Sequence, residues 1–253
     1  MPLPRFYLST LSCHSKEAQL PLEEAQHLTR VLRLTTGDKI RVFDGCGLER
    51  EAIVKHANDN AVIVSIGENV PDTKESKVKI NIGVALLTGR KFDAVVRDAT
   101  MLGAWVITPL LTLRSRSYKI SNDNNKLIKR WQHIAVASTK QCGRSYLPVI
   151  TPPTQFRQYV EAQSSTVEQK ILLLEPNRYS FKVETAPRQQ LPSPSGPRTA
   201  SIAIGPEGGW TDEEIQLAQN AHYIPMTLGT NTLRSEAVPT VALSVLRFMW
   251  LDF

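Results

Sequence analysis

The chain has 253 residues, a formal net charge of +6, a hydrophobic fraction of 42% and a charged fraction of 21%. It can bury a sizeable core, and no apolar run reaches the roughly 18 residues of a membrane span. Met1-Pro2-Leu3-Pro4-Arg5-Phe6 lacks the apolar stretch of a secretory signal. Cys13, Cys46 and Cys142 are odd in number, far apart and outside metal-ligand spacing. The expectation is a cytoplasmic protein with reduced thiols, no disulfide frame and no metal site.

Charge is unevenly placed. Residues 88–144 carry eleven Lys and Arg against Asp93, Asp98 and Asp123, a local net of +8 that leaves −2 elsewhere. A basic block concentrates a polyanion near a folded domain. A solvated helix face has the same composition, so charge alone leaves nucleic acid a candidate and no more.

In chain order, residues 6–8 predict a strand and residues 23–34 a helix burying Ala25, Leu28, Val31 and Leu32. Residues 39–43 alternate polar and apolar, Asp44-Gly45 is a hairpin signal, and residues 49–55 and 60–66 predict further strands. Residues 1–72 therefore read as a small β-rich domain, and residues 70–77 as a linker. From 78 to 253 the pattern changes to alternating strands and helices. Strands are expected at 79–87, 105–107, 171–174 and 201–204, and helices at 91–102, 125–141 and 236–250. Residues 187–197 are too rich in Pro, Ser and Gln for regular structure. The last helix is apolar nearly all round, which predicts burial, against a second subunit if not within the chain. The fold class is α/β with a mostly parallel sheet.

Three segments beside predicted strands stand out. They are Leu174-Glu175-Pro176, then Ile204-Gly205-Pro206-Glu207-Gly208-Gly209, then Leu228-Gly229 through Leu233-Arg234-Ser235-Glu236. In open α/β sheets ligands sit beyond the carboxyl ends of strands, so three such loops can line one pocket. The glycines let backbone approach a ligand closely, and Thr211 with Glu214 forms a capping box for a helix directly after. A tight strand-to-helix turn explains the same glycines without a ligand. Neither a dinucleotide nor a Walker fingerprint is present, which disfavours a dehydrogenase or nucleotide hydrolase.

These segments occur in order with Pro4-Arg5-Phe6-Tyr7, His27 to Arg33, Val42-Phe43-Asp44-Gly45, Trp131-Gln132-His133-Ile134 and Gln141-Cys142-Gly143-Arg144. The ordered set resembles the ribosomal RNA small subunit methyltransferase E family of the SPOUT superfamily, nearly end to end. The resemblance implies an N-terminal PUA-like β-barrel, a C-terminal SPOUT domain with a trefoil knot, and a homodimer. It implies S-adenosyl-L-methionine as cofactor and N3 of a uracil in 16S rRNA of the small ribosomal subunit as acceptor. Carried over by position, the cofactor pocket is Leu174, Glu175, Pro176, Ile204, Gly205, Pro206, Glu207, Gly208, Leu228, Gly229 and Leu233. Met101 and Asp98 depart in charge from the family pattern, and Ser235 replaces a usual Thr.

The cofactor's methyl is already activated, so the enzyme's task is chiefly positioning. Uracil N3 must lose a proton, and a cation stabilises the resulting anion. Arg234 is the candidate for that cation, with phosphate binding or pairing to Glu236 as the alternative. Glu207 and Glu236 are candidate proton acceptors. Arg5, Arg30, Arg90, Lys91, Arg114, Arg116 and Arg144 are candidate RNA contacts. The competing functions are a SPOUT methyltransferase for another nucleotide and a non-catalytic RNA-binding ribosome assembly factor.

Overall fold

Residues 3–58, 60–71, 75–115, 124–163, 167–176 and 196–252 are described by the computed structural model. Its contacts divide the chain into two units, Met1–Glu75 with Val136–Leu147 and Ser76–Ala135 with Pro148–Phe253.

In the first unit, period-2 alternation produces β1 (Arg5–Tyr7), β2 (Glu17–Gln19), β3 (Lys39–Phe43), β4 (Glu49–Ala57) and β5 (Val62–Asn69), in spatial order β1-β3-β4-β5-β2. β1 runs parallel to β3; the other neighbours are antiparallel. Ile40, Val42, Ala52, Val54, Val62 and Val64 bury one face against Phe6, Leu20 and Leu28, as the pleat requires. Register shifts between Arg50 and Ala52 and between Val54 and His56 are the kind of irregularity that bends a strand and deepens its twist.

The helix expected over 23–34 is shorter and irregular. α1 (Leu22–Gln26) passes into a π-helical turn, His27–Val31, where the Leu32 amide donates to the His27 carbonyl five residues back. Arg33 then adopts a left-handed φ of 55°. Leu28 stays buried, while Val31 and Leu32 are exposed rather than on the inner face.

The second unit holds a sheet whose described strands are all parallel. They are β6 (Lys79–Ala85), β7 (Ala104–Leu111), β8 (Val149–Ile150), β9 (Thr154–Gln155), β10 (Gln169–Leu173), β11 (Thr199–Ile204) and β12 (Ile224–Met226). The order is β12-β10-β11-β6-β7-β8, with β9 also pairing with β7. Alternate residues feed two cores. Ile171, Leu173, Ile202 and Ile204 pack with Phe92, Val95, Trp131, Leu243 and Leu246, from α2 (Lys91–Met101), α3 (Asn124–Cys142) and α6 (Val238–Met249). Leu172, Leu174 and Ala203 pack with Phe156, Tyr159, Ile215 and Ala218, from α4 (Phe156–Ala162) and α5 (Asp212–Asn220). Both faces are covered, which is why these strands read as continuous apolar runs. Of the segment 187–197, residues 187–195 lie outside the described residues.

Gly83 and a buried ion pair fix the frame further. A Cβ on Gly83 would stand 2.7 Å from the Tyr159 ring, so the ring packs directly on β6, and its hydroxyl joins Ser201 and Tyr223 in a buried chain of 2.8 Å contacts. Arg247 pairs with Asp252 and donates to the carbonyls of Leu102 and Gly103 at 2.6 and 2.7 Å. Asp252 in turn accepts from the Lys77 and Val78 amides at 2.6 and 3.1 Å. Within the chain, α6 is not buried all round: Val245 and Phe248 are exposed, Phe248 by 72%.

Candidate active site

β12, β10 and β11 are adjacent and parallel, with Leu173 opposite both Met226 and Ile204. The chain therefore leaves all three strands at the same edge of the sheet. The loops that follow are the three singled out by sequence. The Leu174 amide extends the ladder by donating to the Met226 carbonyl at 2.9 Å.

The middle loop owes its glycines largely to packing. A Cβ on Gly205 would lie 2.9 Å from Nε1 of Trp210. That indole is buried, packs tilted against the Phe156 ring with centroids 4.3 Å apart, and donates to the Leu173 carbonyl at 3.0 Å. A Cβ on Gly208 would lie 3.1 Å from Cβ of Arg114. Gly209 needs its glycine for backbone reasons, with φ of 70° and its amide closing a turn on the Pro206 carbonyl at 2.8 Å. The capping box is formed: the Thr211 hydroxyl accepts from the Glu214 amide, and the Glu214 carboxylate accepts from the Thr211 amide.

Together the loops enclose an open cleft of about 530 Å³, mouth included, lined by Leu173, Leu174, Glu175, Pro176, Ile204, Gly205, Pro206, Gly209, Trp210, Leu228, Asn231, Leu233, Ser235 and Val238. Of the residues expected in the pocket, Glu207, Gly208 and Gly229 are not among the lining residues. Leu173, Gly209, Trp210, Asn231, Ser235 and Val238 were missed; Trp210 follows the glycines and Ser235 sits between Arg234 and Glu236, so adjacency was the available signal. The lining is apolar with a few polar groups, as in small-molecule sites. Among the described residues its lining has no Lys or Arg and one carboxylate, Glu175. That chemistry disfavours a di- or triphosphate. It fits a nucleoside bearing positive charge, as a sulfonium amino acid conjugate does.

At the cleft's rim lies a cluster of charges. Lys91, opening α2, pairs with Glu207 and lies 4.0 Å from Glu236. Its ammonium is pushed above the ordinary lysine value, chiefly by the hydrogen bond to Glu207, with neighbouring Arg234 acting the other way. Arg234 is exposed, and its carbonyl accepts from the Ala237 and Val238 amides, fixing it at the head of α6. Lys91 thus brings Glu207 and Glu236 together, with Arg234 close enough to oppose its charge.

The candidate RNA contacts separate. Arg30 and Arg90 are exposed. Arg5 is instead internal to the first unit: its guanidinium makes a two-pronged pair with Glu49 at 3.0 and 2.7 Å and donates to the carbonyls of Thr139 and Arg144 at 2.8 and 2.7 Å. Arg144 is likewise turned inward, paired with Glu75 at 2.8 Å. Arg114 donates to the carbonyls of Gly208 and Trp210. Arg116 lies outside the described residues. Met101 is exposed, and Asp98 pairs with Arg97. Among the described residues no group of three or more metal-ligating side chains converges, and no helix is long and apolar enough to cross a membrane.

Comparison with known proteins agrees with this architecture. Residues 74–247 match the family of RNA methyltransferase domains, and residues 20–67 match the RNA methyltransferase PUA domain. The ribosomal RNA small subunit methyltransferase E of Synechocystis is 36% identical over 231 residues, covering 90% of this chain and 72% of the relative. A Legionella pneumophila methyltransferase solved with bound SAM superposes with a TM-score of 0.85 at 28% identity, over 98% of both chains. The Neisseria gonorrhoeae ribosomal RNA small subunit methyltransferase E, solved with S-adenosyl methionine, gives 0.81 at 26% identity over 98% of both. With its sheet, its three-loop cleft and its small β unit in that company, the chain belongs to the ribosomal RNA small subunit methyltransferase E family of RNA methyltransferases.

Proposed function

We propose that this protein transfers the methyl group of S-adenosyl-L-methionine to N3 of a uracil in 16S rRNA of the small ribosomal subunit, in the cytoplasm and as a homodimer. The observation that carries this is the cleft beyond β10, β11 and β12, whose described lining is largely apolar and includes the Glu175 carboxylate. Two relatives of the same fold are solved with that cofactor bound. The trefoil knot belongs to the same proposal, as does the division of labour between an RNA-binding PUA-like barrel (1–72) and a catalytic domain (78–253). The exposed Val245 and Phe248 of α6 are the surface offered for the homodimer.

The cofactor supplies an electrophilic methyl on sulfur; the chain's own residues do the rest. Leu174, Glu175, Pro176, Ile204, Gly205, Pro206, Leu228 and Leu233 would hold it, and the Glu175 carboxylate would offset its positive charge. Glu207, Gly208 and Gly229 set the shape of the loops around it. The uracil must leave any base-paired stack to present N3. Arg234 stabilises the charge that spreads to the uracil carbonyl oxygens as N3 loses its proton. Glu236 accepts that proton: its side chain is 25% exposed against 53% for Glu207, and its contact with Lys91 is the looser of the two. Exposed Arg30 and Arg90 are the proposed RNA-backbone contacts.

The test combines cofactor titration with steady-state methyl transfer. Arg234→Ala and Glu236→Gln are expected to lower turnover on the order of a hundredfold, a typical acid–base or electrostatic contribution, while cofactor affinity stays within about twofold. Glu207→Gln is expected to affect turnover far less. Equal loss of affinity and turnover in the Arg234 variant would overturn its assignment. Cofactor binding by none of the proteins would leave a non-catalytic assembly factor as the better account.

A further inference from the structure

Arg114 belongs by sequence to the basic block and stands among the candidate RNA contacts. The structure places its guanidinium elsewhere. β7 ends at Leu111, and the loop after it turns through Thr112 and Ser115, whose hydroxyl both accepts from the Thr112 amide and donates to the Thr112 carbonyl, at 3.0 and 2.8 Å. This turn aims Arg114 at the β11 loop, where Nη1 donates to the carbonyls of Gly208 at 3.2 Å and Trp210 at 3.1 Å. The neighbouring Leu113 amide donates at 2.9 Å to Glu214, the buried carboxylate that also closes the capping box of α5. A Cβ on Gly208 would stand 3.1 Å from Cβ of Arg114, so the two residues pack closely. These contacts tie the loop after β7 both to the loop that forms one wall of the cleft and to the start of α5 directly after it.

We propose that Arg114 is a positioning residue for the cofactor, clamping the Gly205-to-Trp210 loop in its binding shape, and that it is not an RNA contact. The argument rests on the proposed cofactor cleft. Gly205, Pro206, Gly209 and Trp210 line that cleft. Trp210 is fixed from below by its indole donating to Leu173, and its carbonyl is fixed from the side by Arg114. Between the two carbonyls that Arg114 holds, those of Gly208 and Trp210, the chain runs through Gly209, and glycine backbones have the widest conformational freedom of any residue. Without the clamp, ordering this stretch becomes part of the cost of binding the cofactor, and affinity falls. A guanidinium suits the task because Nη1 carries two N–H bonds held in a fixed plane, one for each carbonyl, whereas the N–H bonds of an ammonium rotate freely.

The experiment compares wild type, Arg114→Ala and Arg114→Lys in three measurements. They are S-adenosylmethionine affinity by calorimetry without RNA, KM for each substrate in methyl transfer, and hydrogen exchange of the amides from Gly208 to Trp210. In Arg114→Ala the cofactor dissociation constant and cofactor KM are expected to rise about tenfold. The RNA KM and its salt dependence are expected to stay unchanged, and exchange at Gly208 to Trp210 to accelerate selectively. Arg114→Lys is expected to recover part of each loss. Unchanged cofactor affinity together with a raised RNA KM and a shallower salt slope would overturn the assignment and return Arg114 to RNA. If wild type binds no cofactor, the functional proposal fails, and the exchange measurement still decides the clamp: acceleration in the Ala variant supports it and unchanged rates overturn it. Acceleration across the whole second unit would show general destabilisation and would also overturn it.

Discussion

Replacing Arg247 by Met tests how the second unit holds its frame. The side chain is buried and does three things at once: it neutralises Asp252, supplies donors to the Leu102 and Gly103 carbonyls, and so ties α6 to the turn between α2 and β7. Asp252 holds the entry to β6 through the amides of Lys77 and Val78. Methionine fills much of the volume but leaves a buried carboxylate without its cation and two carbonyls without donors. Removing one partner of a buried pair destabilises by about 3–5 kcal/mol. With roughly 2–4 °C of Tm per kcal/mol for a unit of this size, the expected fall is roughly 6–20 °C. All four tryptophans, Trp105, Trp131, Trp210 and Trp250, lie in the second unit, so thermal unfolding followed by tryptophan fluorescence reports that unit. Adding Asp252→Asn to Arg247→Met is expected to recover part of the loss, because the uncompensated charge is gone while one of the two oxygens that accept from the Lys77 and Val78 amides remains. A fall below about 3 °C for Arg247→Met, or no recovery in the double variant, would refute the reasoning.

Gly205→Ala is expected to push the Trp210 indole off Phe156 and the Leu173 carbonyl, lowering Tm and weakening cofactor binding about tenfold, roughly 1.4 kcal/mol, as calorimetry would read. Unchanged affinity would detach Trp210 from the cleft. His27 is held below its ordinary value, chiefly by burial and then by the Lys140 ammonium, with Glu24 opposing. Nδ1 of His27 lies 3.0 Å from Lys140 Nζ, and Lys140 also pairs with Glu24 at 2.7 Å and sits over the Phe6 ring. Because the unfolded chain takes up this proton first, the stabilisation is complete above about pH 6.5 and declines as pH falls toward and through the lower folded value. Urea midpoints by circular dichroism, taken from about pH 7.5 down to about pH 5, should fall less steeply in His27→Asn than in wild type; identical slopes would remove His27 from the acid response.

The parts of this fold visible in sequence are those whose cause is local. The capping box of Thr211 and Glu214, the alternation in Lys39–Phe43, the amphipathic stripe of Lys91–Met101 and the apolar runs of β10 and β11 are each set by neighbours within a few residues. The three loops were legible because their glycines follow strands. What escaped depends on distant partners. The three-residue β12 carries Pro225 and is a strand only because it pairs with β10 at the sheet's edge. α3 looks like one amphipathic helix, yet its residues up to Ala135 cluster with the second unit and those from Val136 with the first. Local periodicity carries no trace of that division. Arg5, Arg114 and Arg144 are indistinguishable in sequence from surface arginines, because the carbonyls and carboxylates that hold them lie 44 to 139, 94 to 96 and 69 residues away. The π-helical turn at His27–Val31 has the same apolar spacing as an ordinary helix until Leu28 and Val31 are seen to part company.

The central claim is a reaction at one atom, and the most direct measurement is methyl transfer from labelled S-adenosylmethionine to small ribosomal subunits taken from cells lacking the activity, followed by nucleoside analysis. The account predicts that the label appears in 3-methyluridine, and that it is lost in the Arg234→Ala protein while cofactor binding persists. Label in any other nucleoside would contradict the uracil-N3 assignment, and no label with no cofactor bound would contradict the catalytic reading of the cleft itself.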